Sequence, residues 1–178
     1  MGGPIWSAPI HHYQFVQELL DTIKQEPLCN LGTFKRLVGV LTVVLEELPD
    51  VPLYYSLDKL CCVVKLEAMP ILKFRSALLH AGYRVSYSHA FKSSIKTDAP
   101  ATVLWDILRY WSKTHPVKQE RLIEGTPLKA ILEKSCEKEY NFEELHPLAN
   151  PSSRKQSLSR YQANPTAHWG PGTRATIM

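Results

Sequence analysis

The clearest fold signal in the chain lies in residues 53–97, LYYSLDKLCCVVKLEAMPILKFRSALLHAGYRVSYSHAFKSSIKT. It predicts a short strand over 53–55, followed by a helix that Ser56 caps. A turn then leads to a second helix that begins at Pro70, because proline is favoured at the first helical position. Two helices joined by a tight turn are therefore expected directly after a strand.

A hairpin follows these two helices. Gly82 ends the second helix, and residues 83–88 alternate large apolar and polar side chains, as a half-buried strand does. A loop over 90–94 and a returning strand over 95–97 complete the hairpin. The order strand, helix, turn, helix, hairpin predicts a winged-helix-like domain with the hairpin as a small β-hairpin wing.

The rest of the chain is predicted to be mainly helical, which makes the fold class α+β. Apolar residues recur at helical spacing over about 12–24, 33–48 and 100–113, and a last short helix follows Thr126-Pro127. Asp98 is expected to cap the third of these helices. After residue 144 the sequence loses this period, so we expect a domain over 1–144 and an irregular, extended basic tail over 145–178.

The composition is that of a globular protein. The 178 residues are 44% hydrophobic and 21% charged, which is enough for one core. No apolar run is long enough to span a bilayer, so no membrane partner is expected, and the start lacks the pattern of a signal peptide. The four cysteines show no CxxC spacing and are expected to be reduced thiols.

The charge distribution points to a polyanionic partner. Acidic and basic residues are equal in number over 1–144, so the tail supplies the whole net charge of +4. A second basic segment without any acid lies between Glu67 and Asp98. Two such segments favour nucleic-acid binding. The alternative is an ordinary solvated surface on which the charges cluster by chance.

The second helix of the predicted unit has two different faces. The face expected to pack on the core carries Ile71, Phe74, Ala77, Leu78 and Ala81. The face expected to point outward carries Lys73, Ser76 and His80. This layout is typical of a helix that reads nucleic acid, although many winged helices bind only proteins.

Motifs for catalysis are missing from the sequence. It contains no GxGxxG or Walker loop, no GxSxG and no HExxH, and its histidines lack metal-ligand spacing. No small-molecule site, no metal and no self-contained active site are therefore expected in this chain.

Several long phrases of the sequence resemble one family. They are GGPIWSAPIH, LGTFKRLVGVLTVVLEELPDVPLYYSLDKL, FRSALLHAGYRVSYSHAFKSSIKTDAP, VLWDILRYW, HPVK and ANPSSRKQSLSRYQANPTAHWGP. Together they resemble the carboxy-terminal part of the eukaryotic tRNA (guanine-26) N2-dimethyltransferases, from Gly2 to about Arg174. The resemblance implies an enzyme that methylates the exocyclic amine of a guanosine in tRNA with S-adenosyl-L-methionine.

The same resemblance implies that this chain lacks the catalytic centre. In the family, methyl transfer belongs to an amino-terminal Rossmann-like domain, whose acidic-Pro-aromatic motif holds the target amine. The two Asn-Pro sites here, at Asn150 and Asn164, lack that aromatic residue. We therefore expect a truncated, inactive chain with no catalytic, cofactor-binding or metal residue, which binds no cofactor itself. The family also implies a location in the nucleus and often in mitochondria.

Two partners are expected, tRNA and the missing catalytic domain. The predicted RNA-binding residues are Lys73, Arg75, His80, Arg84, Ser86, Ser88, His89, Lys92, Ser94, Lys96, Arg154, Lys155, Arg160, Tyr161 and Trp169. The basic ones would meet phosphates and the hydroxyls would donate to phosphate oxygens or 2′-hydroxyls. The alternative function is a protein-interaction winged helix that docks on the catalytic domain through residues 4–10 and the tryptophan-containing helix.

Overall fold

The computed structural model describes residues 3–161, which form seven α-helices and one small antiparallel sheet. The elements in chain order are α1 (Tyr13–Ile23), α2 (Phe34–Glu46), β1 (Tyr55–Ser56), α3 (Leu57–Val63), α4 (Ile71–His80), β2 (Val85–Ser88), β3 (Phe91–Thr97), α5 (Ala101–Thr114), α6 (Pro127–Leu132) and α7 (Ser152–Lys155). Two short 3-10 helices lie at Leu28–Asn30 and Gln119–Arg121. The fold class is α+β, as the sequence predicts.

The sheet has three strands in the order β1-β3-β2, so β3 lies in the middle. Tyr55 pairs with Ile95 on one side, and Val85 pairs with Thr97 on the other. The element order β1, α3, α4, β2, β3 is the one predicted for residues 53–97. The hairpin lies between α2 and the last described residues, and both contact strand β2.

Strand β3 begins earlier than the sequence predicts. The expected loop over 90–94 is almost entirely strand, and the turn is confined to His89 and Ala90. Ser94 explains the difference, because its hydroxyl accepts a hydrogen bond from the Ser88 backbone N–H at 2.7 Å. Because the Ser94 hydroxyl forms a hydrogen bond with the backbone of β2, this polar residue is compatible with a place in the sheet, and β3 extends over the predicted loop.

Helix ends show which local signals act as expected. The Ser56 side chain accepts a hydrogen bond from the backbone N–H three residues later, which caps α3 as predicted. Thr126 caps α6 in the same way, at the start of the short helix predicted after Thr126-Pro127. The prediction for Asp98 is wrong, because Pro100 precedes α5 and makes no side-chain cap. Asp98 instead accepts hydrogen bonds from the backbone N–H and the guanidinium of Arg84. Its carboxylate oxygens are therefore already occupied and do not cap α5.

The main core lies between α3, α4, α5 and β3. Its fully buried large side chains are Phe74, Leu78, Ile95, Leu104, Ile107 and Leu108. Each contributes about 1.5–3 kcal/mol by leaving water. Helices α1 and α2 pack against each other beside this core, and α1 buries Val16, Leu20 and Ile23.

Residues 145–161 pack on the helices instead of extending away from them, as a free tail would. Ala149 and Ser153 are buried, and the Glu46 carboxylate accepts hydrogen bonds from Ser152 and Ser153. A Cβ added at Gly39 of α2 would lie 2.2 Å from the Ser159 carbonyl oxygen. The absence of a side chain at this helix position therefore allows the chain to cross α2 closely. Among the described residues, no helix combines the length and the apolar character needed to cross a membrane.

Candidate nucleic-acid interface

The basic residues of the hairpin do not all face solvent. Lys96 is 2% exposed, and its Nζ lies 2.9 Å from Oε1 of Glu47 at the end of α2. The amine is buried and paired in this conformation, so the structure gives no support to the RNA contact predicted at Lys96. The attraction of a buried carboxylate offsets the cost of removing the lysine from water.

His89 and His11 complete a polar cluster around the same carboxylate. The His89 backbone N–H and Nδ1 lie 3.1 and 2.8 Å from Glu47 Oε2, and His11 Nε2 lies 3.8 Å from it. Burial raises the pKa of Glu47, but hydrogen bonds from His89 and Lys96 outweigh it and lower the pKa overall. We call His11, Glu47, His89 and Lys96 the Glu47 junction.

Arg84 is exposed, but two carboxylates already neutralise its charge. Its guanidinium lies 2.6 Å from Asp50 and 2.8 Å from Asp98. Asp50 follows α2, far from the hairpin in sequence. The acid-free character of residues 68–97 is therefore a property of the sequence and not of the folded surface, because Glu47 and Asp50 reach the hairpin from elsewhere.

The predicted hydroxyl donors of the hairpin are buried within it. Ser86 Oγ accepts from the Leu48 backbone N–H at 3.0 Å. The Ser94 hydroxyl donates to the Ser88 carbonyl at 3.2 Å, and Ser88 Oγ accepts from the Ala90 N–H at 3.3 Å. Ser86, Ser88 and Ser94 thus satisfy the backbone at the turn and at the α2 end, and they offer nothing to RNA in this conformation.

Helix α4 also differs from the predicted layout. Ser76 does not face outward, because it is buried. Its hydroxyl donates a hydrogen bond to the Glu144 carbonyl and accepts one from the His146 backbone N–H. Lys73 lies 5.4 Å from the Trp111 ring, in a pocket that two glutamates also line. His80 is exposed and packs edge to face with His146. Among the described residues, the pocket beside Lys73 therefore combines basic and acidic side chains.

Arg75 is buried under the last described segment. Its Nε donates to the Ala149 carbonyl at 2.8 Å, and its guanidinium lies 4.4 Å from the Tyr87 ring centre. Burial lowers the pKa of Arg75. Arg154 donates to the Tyr87 hydroxyl, and the Arg160 guanidinium lies 5.3 Å from the same ring. Tyr87 on β2 is therefore in contact with three arginines.

One groove brings hairpin and tail residues together. Its lining is Val40, His89, Ala90, Phe91, Lys92, Arg160 and Tyr161, and we call it the hairpin groove. Lys92 is exposed, while Arg160 and Tyr161 are partly buried. The Tyr161 hydroxyl donates to the Ser88 carbonyl at 3.2 Å, and burial raises the pKa of Tyr161 to about 12. None of these lining residues is acidic.

The structure therefore unites four predicted residues, His89, Lys92, Arg160 and Tyr161, and separates them from Lys73 and His80. Lys155 is exposed on α7, and Trp169 lies outside the described residues. Sequence reasoning missed Glu47 and Asp50, which determine the charge of the hairpin. No spacing motif could have identified them, because they lie more than 30 residues from the basic groups that they bind.

Comparisons with known proteins agree with the resemblance. The chain is 68% identical to the tRNA (guanine(26)-N(2))-dimethyltransferase of Drosophila melanogaster, over all of this chain and 31% of that protein. It is 50% identical to the human enzyme of that name, over 98% of this chain and 26% of that protein. A mitochondrial relative from Saccharomyces cerevisiae is 30% identical, over 98% of this chain and 33% of that protein.

A solved structure also matches. It is Trm1 from Pyrococcus horikoshii in complex with S-adenosyl-L-methionine, with a TM-score of 0.51 and 27% identity, over 57% of this chain and 26% of that chain. The chain thus spans about a third or less of the proteins it matches. The model for N2,N2-dimethylguanosine tRNA methyltransferase matches residues 1–109, more than half of the chain. The chain belongs to the N2,N2-dimethylguanosine tRNA methyltransferase family.

Proposed function

We propose that this chain is the tRNA-binding part of a tRNA (guanine-26-N2)-dimethyltransferase and is inactive by itself. The observation that carries the proposal is the hairpin groove, where the two basic segments of the sequence meet without an acidic residue in the lining. Lys92 and Arg160 would contact phosphates, and Tyr161 would lie against the sugar or a base. Such contacts position an RNA and carry little information about its base sequence.

We also propose a winged-helix arrangement for residues 55–97. Its support is the order β1, α3, α4, β2, β3 together with a sheet in which β3 lies between β1 and β2. The hairpin is then the wing. In this arrangement the wing contributes more to RNA binding than α4 does, because much of α4 is covered by the segment around residues 144–149.

Methyl transfer is proposed to belong to the part of the relatives that this chain does not span. The described residues do not fit S-adenosyl-L-methionine in the manner of a Rossmann-like domain, which needs a parallel strand and a glycine-rich turn into a helix. Here the sheet is antiparallel, and Gly82, which has a positive φ, lies at the end of a helix. The nuclear or mitochondrial location implied by the resemblance stays a prediction.

The test is a titration of folded tRNA with this chain at several salt concentrations. We expect salt-sensitive binding, and Lys92→Gln and Arg160→Gln should each reduce the slope of log K against log salt by about 1. Lys59→Gln is the matched control, since Lys59 is exposed on α3 and does not line the groove. Binding that is absent, or equally weakened by all three variants, would overturn the proposal.

A second candidate function is docking on the catalytic domain of the same enzyme. An exposed apolar surface before and along α1 favours it, with Trp6 70% exposed and Ile5, Ile10, Tyr13 and Phe15 more than half exposed. The predicted contribution of the tryptophan-containing helix is wrong for Trp111, which is buried in the core. If docking is the main role, Trp6→Ala should weaken association with the rest of a full-length relative, whereas Lys92→Gln should leave it unchanged.

A further inference from the structure

The Glu47 junction joins three segments that are distant in sequence. His11 precedes α1, Glu47 follows α2, and His89 lies in the hairpin turn. One ligand atom from each of these residues lies within 4.8 Å of the other two. The two imidazole rings meet edge to face, with their centres 5.0 Å apart.

Each group presents an atom suited to a metal ion. The Glu47 side chain is 2% exposed, and Lys96 occupies only Oε1, so Oε2 faces the two histidines. His11 Nε2 is buried and has no hydrogen-bond partner among the described residues. A buried polar atom without a partner is unusual in a folded protein and requires an explanation.

We propose that His11, Glu47 and His89 form a site for a divalent transition-metal ion, with Zn²⁺ as the best fit. Two imidazole nitrogens and one carboxylate oxygen are a common ligand set for zinc, with a fourth position open to water. His89 would bind through Nδ1 and carry its ring proton on Nε2. The site goes beyond the proposed tRNA-binding function and does not depend on it.

The geometry needs only a small adjustment. Ligand atoms about 2.0–2.2 Å from a tetrahedral zinc lie about 3.4 Å from one another. Here Glu47 Oε2 lies 2.8 Å from His89 Nδ1 and 3.8 Å from His11 Nε2, so the first pair would have to separate and the second to approach, each by about half an ångström. Side-chain rotation provides shifts of this size, and His11 Nε2 has no hydrogen bond to lose among the described residues. Lys96 would remain on Oε1 and orient the carboxylate, as outer-shell partners of metal ligands usually do.

The bound ion would connect the hairpin turn to both helices of the α1–α2 pair. His89 also lines the hairpin groove, so the metal would hold the turn beside Lys92. The competing explanation is that Lys96 and His89 alone provide the hydrogen bonds of the Glu47 carboxylate, and that His11 lies nearby without a role. Under that explanation the two histidines do not bind a metal ion together, so a titration with metal distinguishes the two explanations.

The experiment is a calorimetric titration of the untagged, metal-stripped chain with Zn²⁺ alone. A visible spectrum of the Co²⁺-loaded chain reports the coordination number. We expect one site, a four-coordinate spectrum, and a Kd at least tenfold weaker in both His11→Ala and His89→Ala. His80→Ala is the matched control, because His80 also packs edge to face against a second histidine but belongs to no three-ligand cluster among the described residues.

A change in folding is separated from a change in binding. His11→Ala removes no hydrogen bond of the His11 side chain, so this variant should keep the fold even if His89→Ala does not. Zn²⁺ should raise the Tm of the parent chain and of His80→Ala but not that of His11→Ala. Affinity and Tm shifts that are unchanged in His11→Ala, or a loss of equal size in His80→Ala, would overturn the proposal.

Discussion

The core around Phe74 and the Glu47 junction are both buried, but different forces stabilise them. Phe74 belongs to a cluster of buried apolar side chains from α3, α4, α5 and β3, which is stabilised by the removal of apolar surface from water. Lys96 and Glu47 are stabilised only by each other and by hydrogen bonds, because each charge alone would be costly in the interior. A smaller side chain in the core therefore costs stability in proportion to the apolar surface that is lost. The junction, in contrast, is destabilised as soon as one charged partner is missing.

The largest effect should come from the apolar side. Phe74→Ala is expected to lower the free energy of unfolding by about 4 kcal/mol, through lost burial and the cavity left behind. Leu72→Ala, on the partly exposed face of the same helix, should cost clearly less. Urea denaturation followed by circular dichroism measures both. Equal losses would mean that the core is not centred on Phe74.

The second effect tests the junction. Lys96→Met is expected to cost about 3 kcal/mol, because Glu47 is left buried with an unpaired charge. The exposed Lys92→Met on the same strand should change stability by no more than about 0.5 kcal/mol. Adding Glu47→Gln to Lys96→Met should restore part of the loss, since no buried charge then lacks a partner. A double variant less stable than the single one would show that the pair does not act as a unit.

The third effect appears at acid pH and comes from Asp106 on α5. Burial raises the pKa of this carboxyl, but hydrogen bonds from the Glu137 N–H, Arg109 and Tyr140 outweigh it and lower the pKa overall. The folded value is thus below the unfolded value of about 3.9, so the contribution is complete above that pH. Stability should fall as the pH drops through the folded value.

The measurement is the unfolding midpoint in urea between pH 7 and pH 2. Asp106→Asn should be less stable at neutral pH and should show a shallower decline below about pH 4. Asp58→Asn, on an exposed residue of α3, should keep the decline of the parent chain. A parallel decline in all three proteins would assign the acid sensitivity to other carboxyls.

The smallest effect is expected at Arg84, the exposed counterpart of Lys96. Its pairs with Asp50 and Asp98 are solvated, so Arg84→Gln should destabilise the chain far less than Lys96→Met does. High salt should remove the difference between Arg84→Gln and the parent chain, because exposed ion pairs are screened. Thermal denaturation at two salt concentrations tests this. A loss at Arg84 as large as that at Lys96 would erase the distinction between the two pairs.

Much of the local structure could be predicted from residues that act on their neighbours. Ser56 caps a helix where expected, and the apolar period of α4 correctly places Phe74, Ala77 and Leu78 in the core. The same reasoning failed at Asp98 and Ser76, which bind partners far away in the chain. A cap or an outward face is only one option for a polar side chain, and a distant partner can provide a better one.

The sequence could predict the type of candidate site but not which residues form it. Composition and spacing over a few residues were enough to predict the fold class, the order of elements, the family resemblance and the two basic segments. No local pattern could show that Lys96 is buried on Glu47, that Arg84 is neutralised, or that Lys92 meets Arg160 and Tyr161 in one groove; these contacts follow from the folded chain. Those pairings join residues 30 to 70 positions apart, and the packing of whole helices against the sheet, rather than any local pattern, brings them together.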